Sequence, residues 1–312
     1  MKIAYREIKM GTKNKERLFK INSIIERYQE GGYTLTLRQL YYQLVVENVI
    51  PNKVTEYQKL SILLKEGRMA GIVDWNAIED RLRFPSKPSS WETPASIMRS
   101  VIYSYRNDRQ KGQETYLEVW VEKDALSGVL KRVTEPLGVP IVVNRGYSSA
   151  TAMHDAYNRF KDAHNYNGQK AVVLYLGDFD PSGLDMIRDI ERRIGEFVDG
   201  GDYPDMDFSV VPIALTDEQI KRYNPPKNPA KMKDPRAPEY VRNYGYNSWE
   251  VDALPPEVLH ELLDDELRGR MDMDIYDEVL QNEKRGMVRL QAAQRSLENI
   301  DDISDEDEDD NN

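Results

Sequence analysis

Asp178 and Asp180 stand two residues apart just beyond an apolar run, 171–176, which reads as a strand buried on both faces. Gly177 separates the run from the acids. Pro181, Ser182 and Gly183 then stop the strand, and an amphipathic helix begins with Leu184, Ile187, Ile190 and Ile194. In an open α/β sheet, ligands bind beyond the carboxyl ends of the strands. Two acids placed there repel each other, and a hard cation such as Mg²⁺ is their natural neutraliser. Glu122 closes a second apolar run, 117–121, and Arg145 with Gly146 follows a third, 139–143. Parallel strands end on one side of their sheet, so Glu122, Asp178 and Asp180 are expected to converge on one rim. Three carboxylates around one or two Mg²⁺ make a phosphoryl-transfer site. An Asp-x-Asp alone is shared by phosphatases, glycosyltransferases and nucleases. Glu122 alone reads as an exposed strand-end acid paired with Lys123. The strand order and the aspartate pair favour the metal site.

A second set of reactive side chains lies near the front. Thr36-Leu37-Arg38-Gln39 fits a capping box, and the helix that it opens runs to about residue 48. Leu37, Leu40, Tyr41, Leu44 and Val45 form one apolar stripe. At about 100° per residue, Tyr42 falls about 120° from the centre of that stripe. Arg38, four residues earlier, shares its side of the helix. This geometry predicts Tyr41 in the core, with Tyr42 and Arg38 pointing outward together.

The elements that must carry these groups follow from periodicity. Helical patterns cover 13–29 and 55–68, and a short third helix starts near Asp74 with Trp75, Ile78 and Leu82 inward. Short helices with a basic surface fit a helix-turn-helix or winged-helix unit. Residues 84–94 hold three prolines and three serines and read as a linker, followed by a connecting helix over 94–109. Strands at 117–121, 139–143, 171–176 and 208–215 alternate with helices at 124–137 and 149–163 and after Gly183, which predicts a mostly parallel sheet covered on both faces. Residues 224–238 carry five prolines in fifteen positions and read as an extended loop; two or three helices fill 256–299. Four segments result: 1–85, a DNA-binding unit with Tyr42; 86–115, linker and connecting helix; 116–300, the α/β domain with its C-terminal helices; and 301–312, an acidic tail expected to be disordered.

Composition narrows the classes further. The chain has 312 residues, 40% hydrophobic and 31% charged, enough for a folded core in one or two domains. It has no cysteine, which excludes a disulfide framework and a thiolate metal site, and its three histidines show no ligand spacing. No apolar run approaches the ~18 residues that cross a bilayer. The charged start does not read as a signal peptide, and the expectation is a cytoplasmic protein without a membrane partner. The net charge of -11 is uneven: residues 1–111 carry 20 Lys and Arg against 12 Asp and Glu, a net +8, and the remainder carries -19. A basic front suggests an anionic partner, although a lopsided solvated surface explains the charge equally well. Arg38, Lys53, Lys59, Lys65, Arg68, Arg81 and Arg83 are candidates to track a phosphate backbone.

Val121-Glu122-Lys123, Asn144-Arg145-Gly146-Tyr147-Ser148-Ser149 and Gly177-Asp178-Phe179-Asp180-Pro181-Ser182-Gly183 together resemble a Toprim domain. The variant is that of the topoisomerase VI A subunit and its meiotic double-strand-break relatives. Trp249-Glu250-Val251-Asp252-Ala253-Leu254 resembles a further, weaker segment of this family, and Arg38-Gln39-Leu40-Tyr41-Tyr42 resembles the segment bearing its nucleophilic tyrosine, the second of the pair. The match covers roughly residues 34 to 254 in family order. There is no Gly-x-x-x-x-Gly-Lys nucleotide loop, so the chain looks closest to the stand-alone A-like proteins called Mini-A, found in bacteria and mobile elements.

The resemblance implies an N-terminal winged-helix domain followed by a Rossmann-like Toprim domain. It implies Mg²⁺ on Glu122, Asp178 and Asp180, with Glu122 also counted among the catalytic groups. Tyr42 would attack a phosphodiester of double-stranded DNA, giving a 5′-phosphotyrosyl link and a free 3′-OH. Arg38 would stabilise the phenolate or hold the phosphate. In the family the tyrosine of one subunit serves the metal site of the other, which implies a homodimer, and a separate ATPase B-type subunit is a further implied partner. Three alternatives stay open. A Toprim nuclease would use water instead of Tyr42. A DNA-binding accessory protein would keep the site without its chemistry. A haloacid-dehalogenase-type phosphatase is disfavoured, because its nucleophilic Asp opens the fold on the first strand. The proline-rich loop and the acidic tail have no counterpart in the family pattern.

Overall fold

The computed structural model describes residues 2–5, 7–78, 88–144 and 146–309. Arg145, Arg81, Leu82 and Arg83, named above, lie outside them. The chain divides into two compact units, Met1–Arg83 with Thr115–Arg270, and Phe84–Glu114 with Met271–Asn312.

The first unit opens with α1 (Thr12–Glu30), α2 (Leu37–Val46) and α3 (Val54–Met69). The capping box forms as the sequence predicts: Thr36 N–H donates to Gln39 Oε1 at 2.8 Å and Gln39 N–H to Thr36 Oγ1 at 3.3 Å. Leu18, Ile21, Ile24, Leu40, Leu44, Leu60 and Leu64 close one core among these helices. The third helix expected near Asp74 is only a 3₁₀ turn, Trp75–Ala77, in which the Asn76 N–H donates to the Asp74 carboxylate. Among the described residues of this front segment there is no strand, only the single bridges Ala4–Ala70 and Leu35–Ile78.

The other unit holds α4 (Pro94–Ser104) and, much later in the chain, its partner helix. After α4 the first unit resumes with a sheet of four parallel strands: β1 (Thr115–Val121), β2 (Ile141–Val143), β3 (Lys170–Leu176) and β4 (Phe208–Ala214), in the order β2-β1-β3-β4. β1 and β3 are the inner pair, in continuous register from Thr115↔Lys170 to Val121↔Leu176. An inner strand of a parallel sheet is covered on both faces, which is why both read as unbroken apolar runs. Trp120, Val173 and Tyr175 turn to the face covered by α6 (Ala150–Asn167) and α7 (Pro181–Gly200). Between β1 and β2 runs α5 (Ser127–Leu137). The alternate residues Val119, Val121, Leu174 and Leu176 are equally buried and turn the other way, where α5 and the later α10 lie together. The protein is thus a mixed α/β fold built on a parallel sheet.

The proline-rich stretch departs from expectation. It follows α8 (Asp217–Tyr223) and contains β5 (Lys227–Pro229), which pairs antiparallel with β6 (Asn247–Trp249) across α9 (Ala237–Tyr244). Pro229 is tolerated because it ends a three-residue strand. A 3₁₀ turn, Val251–Ala253, leads from β6 towards α10 (Pro256–Arg270).

In the second unit, α4 packs on α11 (Met273–Asp309). Glu283 of α11 is buried and accepts from the Asn107 N–H at 2.9 Å and from Arg109 at 3.2 Å. Gln113 and Asp272 exchange two hydrogen bonds, at 2.9 and 2.7 Å. Residues 88–114 therefore group with α11 in one compact unit. Polar clasps between distant residues leave no local periodicity to read. α11 runs on to Asp309, with no Gly or Pro after Gly286 to stop it.

Candidate active site

The sheet brings the three predicted carboxylates to one rim. Glu122 follows β1, and its N–H donates to the last carbonyl of β3, Leu176, at 2.9 Å. Its Oε2 accepts from the Asp178 N–H at 3.0 Å. Asp180 is the N-cap of α7. Its Oδ1 takes the Gly183 N–H and the Ser182 hydroxyl, both at 2.7 Å. Gly183 has to be glycine, since a Cβ there would collide with the Asp178 carbonyl oxygen. Phe179, between the two acids, exchanges backbone hydrogen bonds with Trp249 of β6, so the β5–β6 hairpin is clamped directly onto the Asp-x-Asp segment.

That hairpin supplies the rest of the site. Beyond one end of it, Lys231 places its Nζ 2.8 Å from Asp180 Oδ2. Beyond the other, Glu250 and Asp252 meet Lys123, whose Nζ lies 2.7 Å from Asp178 Oδ1, 2.9 Å from Glu250 and 3.0 Å from Asp252. Arg38 ion-pairs with Glu250, and its Nε lies 2.7 Å from Asp252 Oδ2 without the alignment of a hydrogen bond. The Tyr42 hydroxyl donates to Glu250 Oε2 at 2.7 Å. One connected network therefore runs Tyr42–Glu250–Lys123–Asp178.

The outward orientation predicted for Tyr42 does not hold. Its ring is 4% exposed, as buried as that of Tyr41, because the turn Val251–Ala253 packs on the second face of α2. Helix geometry locates that face but cannot show what covers it. The hydroxyls do separate the two rings: Tyr41 donates to Asn52 and Tyr42 to the carboxylates. Within one chain the Tyr42 hydroxyl already reaches Glu250. Tyr42 still borders a cleft of about 490 Å³, lined also by Arg38, Lys53, Tyr57 and Asn228. Of the other basic candidates, Lys59 is paired with Glu56 and Arg68 donates to the Ile78 carbonyl.

Burial sets the electrostatics. It raises Asp178 and Glu122, outweighing the pull of Lys123 on both. Burial would raise Asp180 too, but Lys231, the Gly183 N–H and Ser182 hold it below its usual value. Glu250 feels burial first, yet Lys123 and Arg38, with the Tyr42 hydroxyl, bring it down to about 2. The Tyr42 phenol is pushed well above its ordinary value, by burial and then by Glu250.

The donor set suits Mg²⁺ in kind, being all carboxylate oxygen. Among the described residues, Arg38, Lys123 and Lys231 are the cations set against Asp178, Asp180, Glu250 and Asp252. As the side chains stand, their oxygens are turned to the lysines and to backbone N–H groups. Among the described residues no three acids are gathered closely enough to chelate an ion. Sequence pattern alone gives Lys231 no role and pairs Lys123 with Glu122. The available signal for the second acidic pair was Glu250-x-Asp252, which repeats the spacing of Asp178 and Asp180. No family model matches the chain, and comparison with the curated proteins finds no match.

Proposed function

We propose that the chain is a winged-helix and Toprim protein that cleaves double-stranded DNA through Tyr42, in the manner of a topoisomerase VI A subunit. The observation that carries this reading is the chain of polar contacts from the Tyr42 hydroxyl, hydrogen-bonded to Glu250, through Lys123 and its ion pair with Asp178. The network supports this reading because it joins a hydroxyl that could attack phosphorus to the carboxylates that would hold the metal.

Tyr42 Oη would form the new bond to phosphorus as the bond to the 3′ oxygen breaks. The phenolic proton leaves and the departing oxygen ends as a 3′-OH, so the reaction needs no net proton. Glu250 orients the hydroxyl. At about 2, against a phenol above 10, it is too weak a base to strip the proton in advance. Arg38 and Lys53, on the cleft beside Tyr42, supply positive charge for the phosphodiester. Glu122, Asp178 and Asp180 would hold Mg²⁺, which when bound supplies charge stabilisation for the phosphate and the leaving oxygen. With this reading go a homodimer, a separate ATPase B-type subunit where strand passage occurs, and a cytoplasmic location. No helix among the described residues is long and apolar enough to cross a membrane.

The burial of Tyr42 favours one rival, hydrolysis by water at the same carboxylates. Incubation with supercoiled plasmid and Mg²⁺, quenched with detergent, separates the two. Linear DNA carrying bound protein, lost in Tyr42→Phe, is the expected result. Undiminished cutting by Tyr42→Phe would establish the rival.

A further inference from the structure

Asp180 uses its two oxygens differently. Oδ1 is spent on capping α7, and Oδ2 faces the Lys231 ammonium. A cation that Asp180 takes up through Oδ2 therefore competes with Lys231 for that oxygen. The lysine is built for exchange. Its backbone is pinned just after β5, where the Ala230 N–H donates to the Tyr246 carbonyl at 2.9 Å, and β5 pairs with β6, itself clamped to Phe179. Its side chain is 66% exposed over an Asp180 that is 6% exposed, so it covers the acid from the solvent side on a flexible stem.

We propose that Lys231 is a further catalytic residue. Its tethered ammonium holds Asp180 until a divalent ion takes that oxygen, and it then binds a non-bridging oxygen of the DNA phosphate. The inference rests on reading the rim as a phosphodiester site. No proton moves, because the ammonium only changes one oxygen partner for another. A dication outcompetes an ammonium for a carboxylate by charge, and the released ammonium stays at the rim because its backbone cannot leave.

The full-length chain tests this in two titrations, with Lys231→Ala and the charge-preserving Lys231→Arg beside the wild type. In the first, Mn²⁺ binding is followed by electron paramagnetic resonance. Lys231→Ala is expected to bind Mn²⁺ about tenfold more tightly, a change of roughly 1.4 kcal/mol, with Lys231→Arg close to wild type. In the second, binding of a short duplex is measured across salt concentrations with Mn²⁺ and with chelator. Lys231→Ala is expected to weaken DNA binding about tenfold and to lower the salt slope by about 0.9 with Mn²⁺ only. Unchanged or weaker Mn²⁺ binding by Lys231→Ala would overturn the proposal. So would a loss of DNA affinity equal in Mn²⁺ and in chelator. Neither titration requires cutting. A chain that behaves as expected here but leaves no protein-linked ends would sink the Tyr42 reading and keep the role of Lys231.

Discussion

Two lysines hold two aspartates at nearly the same distance, yet the pairs are not alike. Lys123 lies 2.7 Å from Asp178, and its side chain is 14% exposed among three carboxylates. Lys231 lies 2.8 Å from Asp180, and its side chain is 66% exposed. Coulomb attraction at contact is similar for both, so distance does not tell them apart. Hydration does. An ammonium removed from water has nothing to replace its partners, whereas an exposed one exchanges a carboxylate for water or phosphate at small cost. The half of the rim joined to Tyr42 is therefore locked, and the half facing solvent is open.

The largest effect that would sharpen this contrast is Lys123→Met. It leaves Asp178, Glu250 and Asp252 without their shared cation, and it should cost about 3–5 kcal/mol in denaturant unfolding. A loss under about 1 kcal/mol would mean that the buried pair is no firmer than the exposed one. Next is Gly183→Ala, whose Cβ meets the Asp178 carbonyl oxygen; an expected loss of about 1–3 kcal/mol would show that the Asp-x-Asp turn tolerates no added volume. Acid titration gives a smaller effect. Glu250 sits at about 2 in the folded chain against an ordinary 4.5. A lowered value stabilises the fold fully above the ordinary pKa, and that stabilisation fades as pH falls from about 4.5 towards 2. Glu250→Gln should flatten this part of the acid-unfolding curve, and an unaltered curve would show that Glu250 is not held by its cations. Smallest is Lys231→Ala, expected to change stability by less than about 1 kcal/mol because the lysine is largely solvated. A larger loss would make Lys231 structural and erase the comparison.

The sheet was legible because each inner strand announces itself as an apolar run with an acid at or just past its end, as in 117–121 before Glu122 and 171–176 before Gly177 and Asp178. The start of α2 was legible because a capping box is a local pattern, and that of α7 because an acid followed by Pro181 marks a helix start. The hairpin was not. Five prolines between 224 and 238 hide a three-residue strand whose partner, β6, lies beyond a whole helix. Everything that the hairpin delivers was hidden with it: Lys231 on Asp180, Glu250 on Tyr42, and the turn that buries the tyrosine. The pairing of α4 with α11 escaped for the same reason, since Glu283 and Arg109 meet only in the folded chain.

The central claim is that Tyr42 and the carboxylate rim form one reaction centre. The most direct measurement quenches a reaction with duplex DNA and Mg²⁺, digests both polymers, and locates any nucleotide-bearing peptide by tandem mass spectrometry. The account predicts a nucleotide joined through its 5′ phosphate to Tyr42, and its disappearance in Asp178→Asn. DNA ends free of protein, or a nucleotide attached to Tyr41, would contradict it.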